Sequence, residues 1–237
     1  MHLFFQIISK TKNNMAKEIN TEKQAEVVAE AVSKTELFFQ ENKKNIITVL
    51  AVLVIAGAAF FAWHRFAYLP QVEEAQEQML VAEASFLAQE YELALNGNES
   101  AAGFAEIISE YGNKAGAAAN LYAGICEFHL GNFDSAISYL EAYKGTDAIL
   151  AARAIAAIGD CYVAKEDYKK AVTYFEKAAA HQDNMYAATY LLKAGVTYEE
   201  LGQADKALAC YKKIKDQYEQ SLESYEIDKY ISRIENK

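Results

Sequence analysis

The sequence predicts an all-α protein, one membrane-spanning helix followed by a short solenoid of paired helices. Three observations predict it. An uncharged run of 18 residues, Ile46 to Trp63, lies in the N-terminal third. Beyond the single proline, Pro70, the chain is rich in Ala, Glu, Lys, Leu and Gln and carries no alternating strand pattern. A glycine and an alanine return together three times, 35 and 36 residues apart.

The first element in the chain is a helix on the cytoplasmic side. From Thr21 the pattern Thr-x-x-Gln resembles a capping box, and Val28, Ala31, Val32 and Leu37 to Phe39 follow at near-helical spacing. This amphipathic helix is either a membrane-surface or partner helix, or a plain lead-in to the span. Met15 opens "MAKEIN" and is a plausible initiation point, which would leave residues 1–14 untranslated.

The apolar run comes next. As a helix, 18 residues extend about 27 Å, close to the roughly 30 Å hydrocarbon core of a bilayer. Ten of them are Ile, Val, Leu or Phe, so insertion is favourable despite Thr48, Gly57 and the alanines. The competing reading is a buried helix of a globular core, but an uncharged run this long has no polar stripe to face water. A cleaved signal peptide would find small residues at Ala56 to Ala59, yet here more than forty residues precede the run. Basic residues set the orientation: Lys10, Lys12, Lys17, Lys23, Lys34, Lys43 and Lys44 precede the span, and after Arg65 none follows until Lys114. The N-terminus is expected in the cytoplasm and the rest outside it, with Trp63 and Tyr68 as an aromatic belt at the exit.

Net charge is −10, divided as +1 over residues 1–44, +1 over 45–69 and −12 over 70–237. So acidic a portion repels phosphate backbones and anionic lipid, which excludes nucleic acid and favours a neutral or basic protein partner. Cys126, Cys161 and Cys210 are too few and too far apart for a disulfide framework or a zinc site, and read as small buried side chains. His2, His64, His129 and His181 are scattered, and no HExxH, GxSxG or phosphate-binding glycine loop occurs. Neither catalytic residues nor a metal site nor a cofactor is expected.

The repeated segments are "AGICEFHLGNFDSAISYLEAY" (123–143), "IGDCYVAKEDYKKAVTYFEKA" (158–178) and "AGVTYEELGQADKALACYKKI" (194–214). In register they align Gly124, Gly159 and Gly195, and twelve positions later Ala136, Ala171 and Ala207. A mid-helix glycine costs roughly 1 kcal/mol relative to alanine, so its return points to close approach of two antiparallel helices. Tyr162 and Tyr198 on the first helix and Leu140, Phe175 and Tyr211 on the second fill the space beside it. Gly131, the run Lys165 to Asp167, and Gly202 make the turns.

Over about 100 residues this pattern resembles the tetratricopeptide repeat. Its small residue, the aromatic three later, the alanine of the second helix and the aromatic four after it all have counterparts. The period is longer than the usual 34, Glu127 and Ala204 stand where large residues are expected, and the proline between units is replaced by Ala148, Asp183 and Glu219. The resemblance implies a right-handed α-solenoid and the following organisation: 1–44 a cytoplasmic segment, 45–68 the span, 70–115 a divergent helical hairpin, 116–216 three repeat units, 217–237 a capping helix built on Ile227, Tyr230, Ile231 and Ile234. The hairpin reads as a long helix, an Asn-Gly-Asn turn and a second helix striped by Phe104, Ile107, Ile108 and Tyr111.

The resemblance further implies a concave surface, lined by the first helix of each pair, that binds peptides or protein segments. Positions turned away from the partner helix are Leu121, Ile125, Phe128, His129, Arg153, Asp160, Val196, Glu199 and Glu200. They grade from an apolar patch to an acidic one, and the Asn and Lys clamp for C-terminal carboxylates is absent. A basic N-terminus, one span and exported repeats are similar to bacterial envelope tetratricopeptide proteins, including the ancillary subunit of the Sec translocon. That similarity implies a periplasmic, inner-membrane-anchored adaptor whose partners are the translocon or periplasmic chaperones. The alternative is a self-associating membrane scaffold, for which Ala58 and Ala62 offer a small-xxx-small pair.

Overall fold

The computed structural model describes residues 33, 36–181 and 185–236. The expected amphipathic helix from Thr21 and the reading of residues 1–14 lie outside these residues. The chain divides into two compact units, Met1–Phe66 and Ala67–Lys237. In the first, helix α1 covers residues 36–63. Val49 to Ile55 and Phe60 to Trp63 stand exposed, and the most apolar window is 0% buried. One helix is thus long and apolar enough to cross a membrane.

Apart from one two-residue ladder, the regular elements of the second unit are helices among the described residues. Its elements are α2 (Leu69–Leu87), α3 (Tyr91–Asn96), β1 (Gly97–Asn98), β2 (Ala101–Ala102), α4 (Phe104–Tyr111), α5 (Ala117–His129), α6 (Phe133–Ala142), α7 (Ala148–Ala164), α8 (Tyr168–Ala180), α9 (Ala187–Glu200), α10 (Ala204–Gln217) and α11 (Ile227–Glu235). Pro70 sits in the first turn of α2, where the missing N–H breaks no bond. The fold is an array of helix-turn-helix units, α5–α6, α7–α8 and α9–α10, with each helix packed on its sequence neighbours. Helix α11 covers the end, burying Ile227 and Ile231 against α9 and α10.

Close helix approach at the three glycines is visible in their surroundings. A methyl group added at Gly124 would lie 2.6 Å from Leu140 Cγ, at Gly159 2.7 Å from Phe175 Cε1, and at Gly195 2.3 Å from Tyr211 Cε1. Each is the side chain four residues after the repeated alanine, and all three alanines are fully buried. The second helix therefore presses its large residue onto the bare backbone of the first, and any larger side chain there would force the pair apart.

One turn joins the helices, and it occurs four times among the described residues. The N–H groups of Glu90, Asn132, Asp167 and Gln203 each donate to the carbonyl five residues earlier, at 2.9 Å in every case. The carbonyl of each of these four then accepts from the alanine four residues on: Ala94, Ala136, Ala171 and Ala207. The residue before each is left-handed, with φ of +62° at Gln89, +83° at Gly131, +57° at Glu166 and +67° at Gly202. This is the Schellman closure of a helix, which glycine adopts freely and Gln89 and Glu166 adopt under strain.

The recurrence at Gln89 shows that 70–115 holds a further helix pair of the same construction. Ala82, 2% exposed, takes the place of the helical glycine, and Ala94 that of the repeated alanine. The long helix ends at Leu87, ahead of the Asn-Gly-Asn turn expected from the sequence, because Gln89 closes it. Its second helix is split into α3 and α4 by the excursion Gly97-Asn-Glu-Ser-Ala-Ala-Gly103. Asn98 Oδ1 accepts from the N–H groups of Ser100 (2.8 Å) and Ala101 (3.1 Å), folding the tip back on itself. The chain returns to its point of departure, since a methyl on Gly103 would be 2.3 Å from the carbonyl oxygen of Leu95. Seven residues are about two helical turns, so α4 resumes the face that α3 began, and Phe104, Ile107 and Tyr111 are buried with Ala94 and Leu95.

Candidate functional site

The first helices of three consecutive units, α5, α7 and α9, enclose a cleft of about 510 Å³. Helix α5 contributes its C-terminal half, with Ile125, Phe128 and His129. Helix α7 runs along the floor with Ile149, Leu150, Arg153, Ala156, Ala157 and Asp160. The start of α9 supplies Tyr186, Tyr190 and Lys193. The cleft therefore crosses the helices obliquely.

Its walls are mostly apolar, and its polar groups fall into two sets. Lys193 Nζ lies 2.7 Å from both carboxylate oxygens of Asp160, a contact that ties α9 to α7. Both side chains are about a third exposed (39% and 33%), so this pair contributes no more than roughly 1 kcal/mol. The second set is unpaired. Arg153 is exposed and has no carboxylate within ion-pairing distance among the described residues. Tyr190 is only 6% exposed, lines the cleft and makes no hydrogen bond among the described residues. Burial raises the Tyr190 pKa, and the charge of Arg153 opposes the shift, which places the two groups within electrostatic reach. At the rim, His129 stacks on Tyr91 with ring centroids 4.0 Å apart and planes 3° from parallel.

Of the nine positions projected from helical geometry, five line this cleft: Ile125, Phe128, His129, Arg153 and Asp160. Leu121 does not. It is 1% exposed and packs with Ala154 and Ile158 of α7, because the first helices of successive units touch one another and bury the flank that a two-helix projection leaves free. Glu199 is engaged elsewhere, accepting from the Tyr211 hydroxyl at 2.7 Å and from Arg233 of α11. Val196 and Glu200 are exposed on α9 outside the lining. Ile149, Leu150, Tyr186, Tyr190 and Lys193 were not foreseen. Leu150 and Tyr186 both stand nine residues before the helical glycine, so the same offset marks them in two units.

Nothing among the described residues gathers three or more metal-ligating side chains. The three thiols are buried and free. Burial pushes Cys126 and Cys161 up to about 12 and Cys210 to about 11, which makes them poor nucleophiles at neutral pH.

Tetratricopeptide repeat models match residues 90–157, 152–180 and 189–221, together more than half of the 237 residues. The first of these spans begins at Glu90, inside the turn that closes the split hairpin. A crystal structure of MamA protein is 17% identical over 69% of this chain and 84% of that one, with a TM-score of 0.53. A second crystal structure of MamA is 19% identical over 66% of this chain and 93% of that one, at a TM-score of 0.47. No curated protein matches the sequence. The glycine contacts, the repeated turn and the family matches agree: this chain belongs to the tetratricopeptide repeat family, whose members act as protein-interaction scaffolds.

Proposed function

We propose that the protein is a single-pass, membrane-anchored adaptor of the bacterial envelope, with its N-terminus in the cytoplasm and its repeats in the periplasm. The repeats hold a segment of another protein in the cleft between α5, α7 and α9. That cleft carries the reading: three consecutive first helices supply apolar walls with unpaired donors between them. The uncharged stretch of α1, exposed along its length, supports the anchor, and the seven lysines before it, against Arg65 alone between it and Lys114, support the orientation. A partner at the translocon, or a periplasmic chaperone, fits a scaffold tethered beside the membrane.

Photoreactive residues at Ile125, Phe128 and Arg153 in living cells test the cleft. Capture of one defined protein at these positions, and not at exposed Lys169 or Lys213 on the second helices, is the expected result. Capture only at the second helices would move the binding face. A second reading, a self-associating scaffold, draws on Gly57, which has nothing within 4 Å, and on Ala58 and Ala62 beside it. A mass above that of one chain in detergent, without added partner, would favour it.

A further inference from the structure

The cleft holds two hydrogen-bond donors that nothing among the described residues satisfies. Arg153 reaches into it from α7 on a portion of the molecule whose net charge is −12. Six other cations there find carboxylates: Lys165, Lys170, Lys193, Lys212, Lys215 and Arg233. Asp160, the carboxylate that lines the same cleft, is held through both oxygens by Lys193. Tyr190, more than nine-tenths buried, also lines the cleft, and its hydroxyl makes no hydrogen bond among the described residues.

An unpaired guanidinium and a buried phenol within electrostatic reach of each other, in a cleft also lined by Ile125, Phe128, Ile149 and Leu150, complement a carboxylate carried between large apolar side chains. A guanidinium offers parallel N–H groups that match both carboxylate oxygens, and the phenol supplies a further donor. We propose that Arg153 and Tyr190 form a carboxylate subsite, and that the occupant is an internal protein segment with one Asp or Glu flanked by bulky aliphatic residues. This rests on the cleft being the binding face. A chain terminus is a poorer fit, because the other cation of the cleft is spent on Asp160 and, among the described residues, no amide side chain lines it.

The subsite also reconciles affinity with overall charge. A strongly acidic domain repels acidic partners at long range, but that repulsion is screened within about 8 Å at physiological salt. A partner seated in the cleft meets Arg153 at contact distance, where the local sign is positive. The carboxylate thus selects at short range against segments that approach well but dock badly.

The test uses the full chain in lipid nanodiscs and four labelled peptides in one leucine-rich host. Three are capped at both ends and carry Glu, Gln or Lys at the centre. The fourth carries Gln and a free C-terminal carboxylate. The capped Glu peptide should bind on the order of tenfold more tightly than the capped Gln peptide, and the Lys peptide most weakly. In Arg153→Glu, an exposed position whose exchange leaves the core intact, the order should invert in favour of Lys. Tyr190→Phe should narrow the gap between Glu and Gln without reversing it. Equal binding of capped Glu and Gln peptides overturns the subsite while the cleft still stands as binding face. Binding of the free-terminus Gln peptide as tight as that of the Glu peptide overturns the choice of an internal segment. Failure of all four peptides to bind overturns the subsite together with the cleft itself.

Discussion

Replacing Gly195 by Ala tests the central packing argument, because two opposing effects have known size. Alanine improves a helix interior by roughly 1 kcal/mol over glycine. Against that, the added methyl would sit 2.3 Å from Tyr211 Cε1, 2.8 Å from Cζ and 2.9 Å from Cδ1. Tyr211 is fully buried, its ring lies 5.2 Å from that of Tyr230, and its hydroxyl donates to Glu199 at 2.7 Å. A ring held at both ends cannot move aside, so the upper part of the overpacking range, about 3 kcal/mol, applies. The net loss is about 2 kcal/mol, which for a unit of this size lowers the melting temperature by roughly 4–8 °C. Thermal unfolding of the full chain in detergent, followed by helical circular dichroism, reads it directly. At Gly124 the obstacle is Leu140, whose rotamers can change, so Gly124→Ala should cost clearly less. Combining Gly195→Ala with Tyr211→Phe frees the ring from Glu199 and should shrink the cost of the methyl. A Gly195→Ala protein that melts at or above the unsubstituted temperature would refute the argument, because only the helix-propensity gain would then remain.

Three further outcomes follow from other features. Gln89→Gly and Glu166→Gly relieve left-handed strain of roughly 1–2 kcal/mol and add unfolded-state entropy of somewhat less; each should stabilise by about 0.5–1 kcal/mol, measured by chemical denaturation. Deleting residues 97–103, a non-helical excursion as long as about two helical turns, should leave the total helical signal and solubility unchanged; aggregation would show that the excursion is structural. The thiols of Cys126 and Cys161, raised from 9.0 to about 12, favour the protonated form in the fold, so their contribution is complete below pH 9.0 and fades as pH climbs toward 12. Tyr198 and Tyr211, also raised by burial and a carboxylate neighbour, act in the same direction; melting temperature should fall through this alkaline range, less steeply in Cys126→Ala.

What the sequence made legible was pairwise and local. The glycine–alanine register identified which side chain presses on which backbone, because both partners lie within one unit at a fixed spacing. The hairpin of 70–115 escaped the same comparison for two reasons. Ala82 stands in place of glycine, and the seven residues 97–103 push its alanine 42 positions from Ala136 instead of 35. Gln89-Glu90-Tyr91 and Ala94, set against Gly131-Asn132-Phe133 and Ala136, would have revealed it. The cleft is only partly legible in the sequence because a helical projection shows which face of each unit is free but not how successive units are offset. Stacked units are staggered, so α5 offers residues after its glycine while α9 offers residues before its own. Leu121 failed for a related reason, since a projection of two helices omits the third that covers it.

The oblique course of the cleft across three units has a mechanical meaning. In a chain of stacked modules, neighbouring joints can open independently, and each junction frays on its own. A guest lying across α5, α7 and α9 would span two such joints at once and act as a splint. Loading would then appear as sharper, more concerted melting and as slower amide exchange in helices the guest never touches.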